Sequence, residues 1–398
     1  MTRVLQLARR GVLPILAVVT ALLVGAVVIV LTDFENLARI GSDPLGALGA
    51  AVGGIGAGYG AMLEGAFGDP GRIVAAMQSG SQKDIATAIR PLTETLVAAA
   101  PLIFTGLGVA ISFRTGMFNI GGDGQLLLGA LAATTATIAL SGNAPAPVIL
   151  VVAIVIGTLA GGLWGFVPGF LKARTGAHEV ITTIMLNYVA AQMVLLALRW
   201  PFIQNPGLGA PISKVLTPIA DVPALPLIGN LPAIRLDWGF VVALVMAALV
   251  SFALFKTTKG FELRASGFNM TAARYAGMSA GGSMMLAMFM SGALAGMGGS
   301  FMVLGTVGQL SLDLSGGIGF NAIALALLAG LRPSGVVLAA LLFGALSTGG
   351  KNMGIVSGIP YDLLFFVQAL VIMFVAAPGL VRSIYRLRKP SPDAEVVV

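Results

Sequence analysis

Cysteine is absent from the 398 residues, and histidine occurs once, at His178. Without cysteine there is no disulfide framework, no thiolate nucleophile and no sulfur-held metal. One histidine excludes HExxH and every other multi-histidine metal site. Charge is scarce as well. Asp, Glu, Lys and Arg make up 10% of the chain, against about 25% in ordinary soluble domains. So few charges cannot cover a water-facing surface, and no cluster of carboxylates is left for acid–base or metal chemistry. An embedded enzyme is therefore disfavoured.

Apolar residues are abundant: 57% of the chain is hydrophobic and the mean hydropathy is +0.96. A spanning helix needs ~20 mostly apolar residues to cross ~30 Å of hydrocarbon. Ten stretches meet this requirement, near 12–31, 94–113, 118–140, 147–170, 179–198, 238–255, 283–306, 314–331, 335–349 and 361–380. The expectation is an all-α polytopic membrane protein with about ten transmembrane helices. The opening MTRVLQLARRG looks like the start of a signal peptide, but the run Val12–Leu31 is long enough to span and reads as an uncleaved first helix.

The net charge of +7 reads as topology rather than as a nucleic-acid patch, because the basic residues fall in short gaps between apolar runs. With the N-terminus in the cytoplasm, the inner gaps hold Arg9, Arg10, Arg114, Lys172, Arg174, Lys256, Lys259, Arg264, Arg274 and Arg332. The basic residues assigned outside lie, with one exception, in the long loops 32–93 and 199–237, where charge bears less on orientation. Both termini, residues 1–31 with the first span and the tail 381–398, are thus expected to begin and end in the cytoplasm of a cell (inner) membrane protein. One stretch threatens this parity. Glycines at 46, 49, 53, 54, 56, 58 and 60 lie in an uncharged run that could form an eleventh span. Glycine is a poor helix former outside tight packing, so the expectation is a surface-lying or re-entrant element within an outer loop. The proline-rich stretch 199–237 is either an ordered excursion or a linker.

Gly157, Gly161, Gly165 and Gly169 recur every fourth residue, as do Gly292 and Gly296. Small residues at this spacing let helix backbones approach closely inside lipid. They indicate a many-helix bundle and nothing about substrate.

The densest polar cluster is Phe118-Asn119-Ile120-Gly121-Gly122-Asp123-Gly124-Gln125. An ionisable group inside a membrane usually faces a cavity or a partner. Three glycines would allow the helix to break there and expose backbone donors and acceptors to a pathway. Asn, Asp and Gln also suit sugar hydroxyls, which need donors and acceptors together. The plainer reading is that Asn119 or Asp123 caps the third span near the cytoplasmic face; span parity favours it, and the two readings are compatible. Glu179 reads as a cap of the fifth span. Asn187, Tyr188, Gln192, Gln309 and Asn321 read as buried polar groups that bond between helices. The segment 256–282 reads locally as a short surface helix between glycine turns at Gly267 and Gly277, or as a plain solvated basic loop.

FNIGGDGQ closely resembles the FNIGxEGQ signature of permeases in the nucleoside and simple-sugar branch of the branched-chain amino acid/ribose ABC importer family. PLIFTGLGVAISFRTG (101–116), HEVITTIMLNYVA (178–190) and SGALAGMGGSFMVLG (291–305) with GFNAIALALLAGLRPSGVVLAALLFGAL (319–346) resemble the same branch, in the family's order. The resemblance covers about 90–380, so 94–380 is expected to form the permease core. Asp123 stands where glutamate is usual, which keeps the charge and shortens the reach. The resemblance implies a type II importer permease with a substrate pathway through Asn119, Asp123, Gln125, Asn187 and Asn321. It also implies that GFELRASGFNMTAA begins a coupling segment for an ATPase, carried by Glu262, Arg264, Gly267, Asn269, Ala272, Ala273 and Gly277.

GGKN at 349–352 lacks the first glycine and the Ser/Thr of a Walker A loop, so ATP and magnesium belong to a separate cytoplasmic ATPase and this chain binds no cofactor. The other implied partners are an extracytoplasmic solute-binding protein, a second and unlike permease subunit, and the bilayer. A stand-alone secondary transporter or channel is the alternative, with Asp123 as its one ionisable candidate.

Overall fold

The computed structural model describes residues 2–39, 41–207, 209–226, 234–357, 359 and 362–386. The tail 381–398 lies outside them from position 387 onward. Among the described residues the elements are helices: α1 (Thr2–Thr32), α2 (Phe34–Arg39), α3 (Pro44–Phe67), α4 (Pro70–Ser79), α5 (Gln82–Arg114), α6 (Gly122–Leu140), α7 (Ala146–Thr175) and α8 (Glu179–Leu198). After the proline-rich excursion come α9 (Trp238–Lys256), α10 (Thr258–Phe268), α11 (Met270–Tyr275), α12 (Ala280–Phe301), α13 (Ile318–Leu328), α14 (Pro333–Ser357), α15 (Asp362–Ala376) and α16 (Pro378–Ile384). Nine helices among the described residues are long and apolar enough to cross a membrane.

Several expected boundaries move. Within the expected loop 32–93, α2, α3, α4 and the first part of α5 occupy most of the residues. Its glycine-rich run is the continuous 24-residue helix α3, itself long and apolar enough to cross. A continuous helix bonds its own backbone groups, which suits a surface-lying or a membrane-entering element alike. The stretch 314–331 is not a full helix. It is a 3₁₀ turn (Leu312–Ser315) followed by the 11-residue α13, which at 1.5 Å per residue rises only about 16 Å. By contrast, the short run 335–349 is part of the 25-residue α14.

The chain falls into two compact units, Met1–Gly65 with Leu346–Val398, and Ala66–Ala345. In the first, α1 packs along α15, with Ile29, Leu363 and Val367 buried together. Tyr59 donates to the Leu22 carbonyl, and Asn352 Nδ2 donates to the Ala61 carbonyl at 2.7 Å.

The second unit holds the family-like motifs. Its centre is α6, flanked by α5, α7, α8 and α12. The seam between α7 and α12 is glycine on glycine. A Cβ on Gly161 would lie 2.5 Å from the Gly292 carbonyl oxygen, and one on Gly296 would lie 2.6 Å from that of Gly157. The expected small-residue stripe is therefore a real contact face, and backbone proximity is its purpose. At one end of this unit the 199–237 excursion is ordered wherever it is described. Ser213 N donates to the Leu310 carbonyl at 2.9 Å, Leu216 N to Gly308 at 2.8 Å and Val222 N to Leu304 at 2.8 Å. It is a folded cap over the bundle end, not a linker.

Candidate functional site

Two helices of the second unit start inside the bundle rather than at its edge. The chain leaves α5 at Arg114, runs without helix through 115–121, and begins α6 at Gly122. It leaves α12 through a π-helical turn (Met302–Thr306) and begins α13 at Ile318. The two starting ends meet. A Cβ on Gly122 would lie 3.1 Å from Gly319 Cα and 3.1 Å from Thr105 Cγ2. Thr105 is nine residues before Arg114 on α5, which places the junction about 14 Å along the helix from that end. In a hydrocarbon layer ~30 Å thick, that depth is near the middle.

A helix start leaves its first backbone N–H groups without partners, and these carry partial positive charge. Asp123 supplies the missing acceptor. Its Oδ1 accepts from Gly319 N at 2.9 Å, and Ser315 and Phe320 also bond to it. Asp123 is 8% exposed, in the first turn of α6, yet it caps α13. This corrects the expectation of a cap on its own span near a membrane face. The cap belongs to a neighbouring helix, at mid-depth. Glycine at 319 is what permits the approach, since any Cβ there would collide with Asp123.

The rest of the cluster is a closed hydrogen-bond network. Asn119, fully buried, donates through Nδ2 to Gln125 Oε1 at 2.9 Å and to Ser291 Oγ at 2.8 Å. Its Oδ1 accepts from Gly121 N at 2.9 Å and from Gln125 Nε2 at 3.1 Å. Asn187 on α8 clamps the same loop, accepting from Gly124 N and donating to the Ile120 carbonyl, both at 2.9 Å. Thr183 adds a weaker contact to Ile120 N at 3.3 Å. Asn119, Gln125 and Asn187 therefore hold the broken helix in shape. Asn321, half-buried in the first turn of α13, lies beside Gly319 and Phe320 at the same junction.

Sequence reasoning placed all five residues at one site but missed Ser291, Thr183 and Gly319, which complete it. All three stand inside the family-like motifs, so proximity in a motif was the available signal. It also misplaced Tyr188 and Gln192. These are exposed, not buried, and Tyr188 is 66% open. Glu179 pairs with Lys172 at 2.8 Å, tying α7 to α8.

The segment 256–282 forms two helices, α10 and α11, rather than one. Asn269 ends the first and caps the second, accepting from Ala272 N at 3.0 Å. Gly277 adopts φ +80°, a left-handed turn that suits glycine. Gly267 is no turn. It sits within α10, where any Cβ would collide with the Arg114 carbonyl. Arg264 is only partly exposed; its guanidinium lies 5.2 Å from the Phe255 ring centroid, and Arg114 stacks on the same ring at 5.0 Å. Glu262 pairs with Lys259 at 2.9 Å, and Ala273 is buried. Asn269 and Ala272 are exposed, flanked by two large aromatics, Phe268 (80% exposed) and Tyr275 (89% exposed).

Interrupted helices that meet at mid-depth, with the non-helical backbone buried in protein, are the architecture of a solute permease. Residues 92–376 match the model of the family described as "Branched-chain amino acid transport system / permease component", and the chain belongs to that family. It is 37% identical to the guanosine ABC transporter permease protein NupP of Bacillus subtilis (strain 168), over 93% of this chain and 94% of that protein. It is 36% identical to the glucose ABC transporter permease protein TsgB13 of Haloferax volcanii, over 71% of this chain and 75% of that protein. Identity to the nucleoside ABC transporter permease protein NupB of Lactococcus lactis subsp. cremoris is 34%, over 73% and 80%. No solved structure matches the chain. The protein is thus a multi-pass membrane permease subunit of an ABC transporter, and the stand-alone transporter reading gives way to it.

Proposed function

We propose that this chain imports nucleosides, with simple sugars as the second substrate class, by alternating access driven by a separate ATPase. The observation that carries the reading is the Asp123–Gly319 junction. Two helix starts joined by one carboxylate at mid-depth form a hinge whose two sides can separate without leaving a continuous helix to break. The relatives' names supply the substrate class, nucleosides in two and glucose in one.

The face of α8 supports a pathway shared with a second permease. The exposed faces of α7 and α9 are apolar, with Val155, Leu159 and Leu163 on one and Val245, Leu249 and Phe252 on the other, as lipid requires. On α8 the exposed face carries Tyr188, the tenth of its twenty residues, and Gln192 one turn on. Uncompensated polar groups at that depth are costly against hydrocarbon. A related, unlike subunit facing α8 across a wet pathway relieves that cost.

The α10–α11 element is the ATPase contact in this reading, with Phe268 and Tyr275 as the anchors that enter a partner groove. Arg264 and Gly267 act behind them, seating the element on α5 and α9. The basic residues Arg114, Lys172, Lys256 and Arg332 at helix ends of the second unit support a cytoplasmic face there, and both termini are cytoplasmic in this reading. ATP and magnesium are held by the partner, and an extracytoplasmic binding protein delivers substrate. The test is reconstitution with ATPase and binding protein, followed by competition among labelled nucleosides, pentoses and hexoses. Nucleoside-selective, ATP-dependent uptake is expected; uptake without the ATPase would overturn the reading.

A further inference from the structure

The foot of α9 carries a feature that the proposed ATPase anchors Phe268 and Tyr275 do not account for. A cleft of about 770 Å³ opens between the end of α9, α10 and the turn into α12, and its lining includes Phe255, Lys256, Lys259, Phe261, Glu262 and Arg264. Three of these side chains are cationic and one is acidic. The single carboxylate is already engaged, since Glu262 holds Lys259 at 2.9 Å. Lys256, exposed at the last position of α9, has no carboxylate partner among the described residues. Arg264 has its Nε buried without a hydrogen-bond partner among them. Arg114, on the other stack of the Phe255 ring, lies within Coulombic reach of both Arg264 and Arg332 and adds to the excess. Positive charge therefore accumulates around one ring, and among the described residues the cleft lining offers only Glu262, already paired with Lys259, against it.

The lining also says which anion fits. Phe255 and Phe261 are 39% and 55% exposed, so the cleft pairs its charges with open aromatic surface. A small hydrated anion has no use for that surface. An amphipathic one does. The cleft begins where the apolar outer face of α9 ends, so an acyl chain lying along Leu249 and Phe252 brings its headgroup to Lys256. Basic pockets at the ends of membrane helices bind anionic headgroups by this combination of charge and adjacent hydrocarbon.

We infer that the cleft between α9 and α10 binds the headgroup of an anionic phospholipid through Lys256, Lys259 and Arg264. Because α10 forms one wall, the bound lipid braces the element proposed to meet the ATPase, and transport becomes sensitive to the acidic lipid content of the membrane. The site requires only that α9 crosses the bilayer. Lipid retention and nucleoside uptake can therefore fail independently.

The experiment uses the purified full chain and two fluorescent lipids with identical acyl chains, phosphatidylglycerol and phosphatidylcholine. Preferential retention of phosphatidylglycerol is expected. Lys256→Gln should weaken it about fivefold, the value of ~1 kcal/mol per basic residue near an anionic surface, and Lys256→Gln with Lys259→Gln should weaken it further. Both lysines are exposed, so folding survives, and a thermal melt of each variant checks this. Equal retention of the two lipids, or wild-type retention by the double variant, overturns the inference. So does displacement of the labelled lipid by inorganic phosphate, which would mark a site for a free anion. If the ATPase expels the lipid and the double variant loses ATPase binding, the cleft is a protein-docking site and the inference again fails.

Discussion

The α7–α12 seam and the α6–α13 junction are both places where glycine lets backbones touch, yet they are held by different forces. At the seam, Gly157, Gly161 and Gly165 face Gly292 and Gly296, and close van der Waals contact is the whole interaction. At the junction, Gly122 and Gly319 bring two helix starts together, and the Asp123 carboxylate occupies the space between their unpaired N–H groups. The seam is a fixed wall with nothing to switch. The junction depends on one carboxylate, whose charge-assisted bonds from Gly319, Ser315 and Phe320 geometry can make or break. A transporter needs both, a rigid surface and a place that gives.

The largest effect should come from overfilling the wall. Gly161→Leu has no room beside the Gly292 carbonyl, and the expected outcome is loss of the monodisperse peak in size-exclusion chromatography. Even Gly296→Ala should destabilise by about 1–3 kcal/mol, read from thermal unfolding in detergent. A Gly161→Leu protein that stays monodisperse would show the seam to be looser than described. At the junction the effect should fall on transport instead. Asp123→Ala leaves a buried amide unpaired, at about 1–3 kcal/mol, and is expected to abolish uptake while the protein still inserts. Asp123→Asn keeps an acceptor oxygen and should retain part of the activity. Normal uptake by Asp123→Ala would remove the junction from the mechanism.

Away from both regions, Tyr275→Ala should weaken ATPase binding about thirtyfold, as expected for an anchor worth ~2 kcal/mol, with the melting temperature unchanged. Unaltered ATPase affinity would exclude Tyr275 as an anchor. The smallest effect concerns pH. Asp237, the cap of α9 that accepts from Gly239 N at 2.8 Å, is held up at about 6 by burial, with the nearby Asp221 charge adding to the effect. A raised carboxyl favours the folded state most when protonated. Its contribution is therefore present below about pH 4 and fades as pH rises through 6. Wild-type protein should lose a few degrees of melting temperature across that window, and Asp237→Asn, which still caps, should flatten the slope. An unchanged slope would assign the pH dependence elsewhere.

Helix existence was legible because hydrophobic length is a one-dimensional property. The spans at 147–170, 179–198 and 238–255 became α7, α8 and α9 with small shifts at their ends. That α3 is one continuous helix was not readable from its glycines, and 314–331 was overestimated as a span because its length in residues hid a non-helical start. The motif pointed to Asn119, Asp123, Gln125, Asn187 and Asn321, but the hydrogen bonds that Asn119, Asp123, Gln125 and Asn187 make were not readable. Exposure of Tyr188 had no local signal either, since an aromatic in an apolar run looks the same whether it packs or projects.

Composition and apolar run length alone determined that this chain lives in a bilayer, because lipid admits few charges and demands long helices. Motif order determined its family. Only the folded arrangement decided that Asp123 caps a helix 196 residues away in sequence and that Arg264 stacks instead of projecting. A hydrogen bond or ring contact between distant segments depends on where whole helices lie, and no local pattern encodes that.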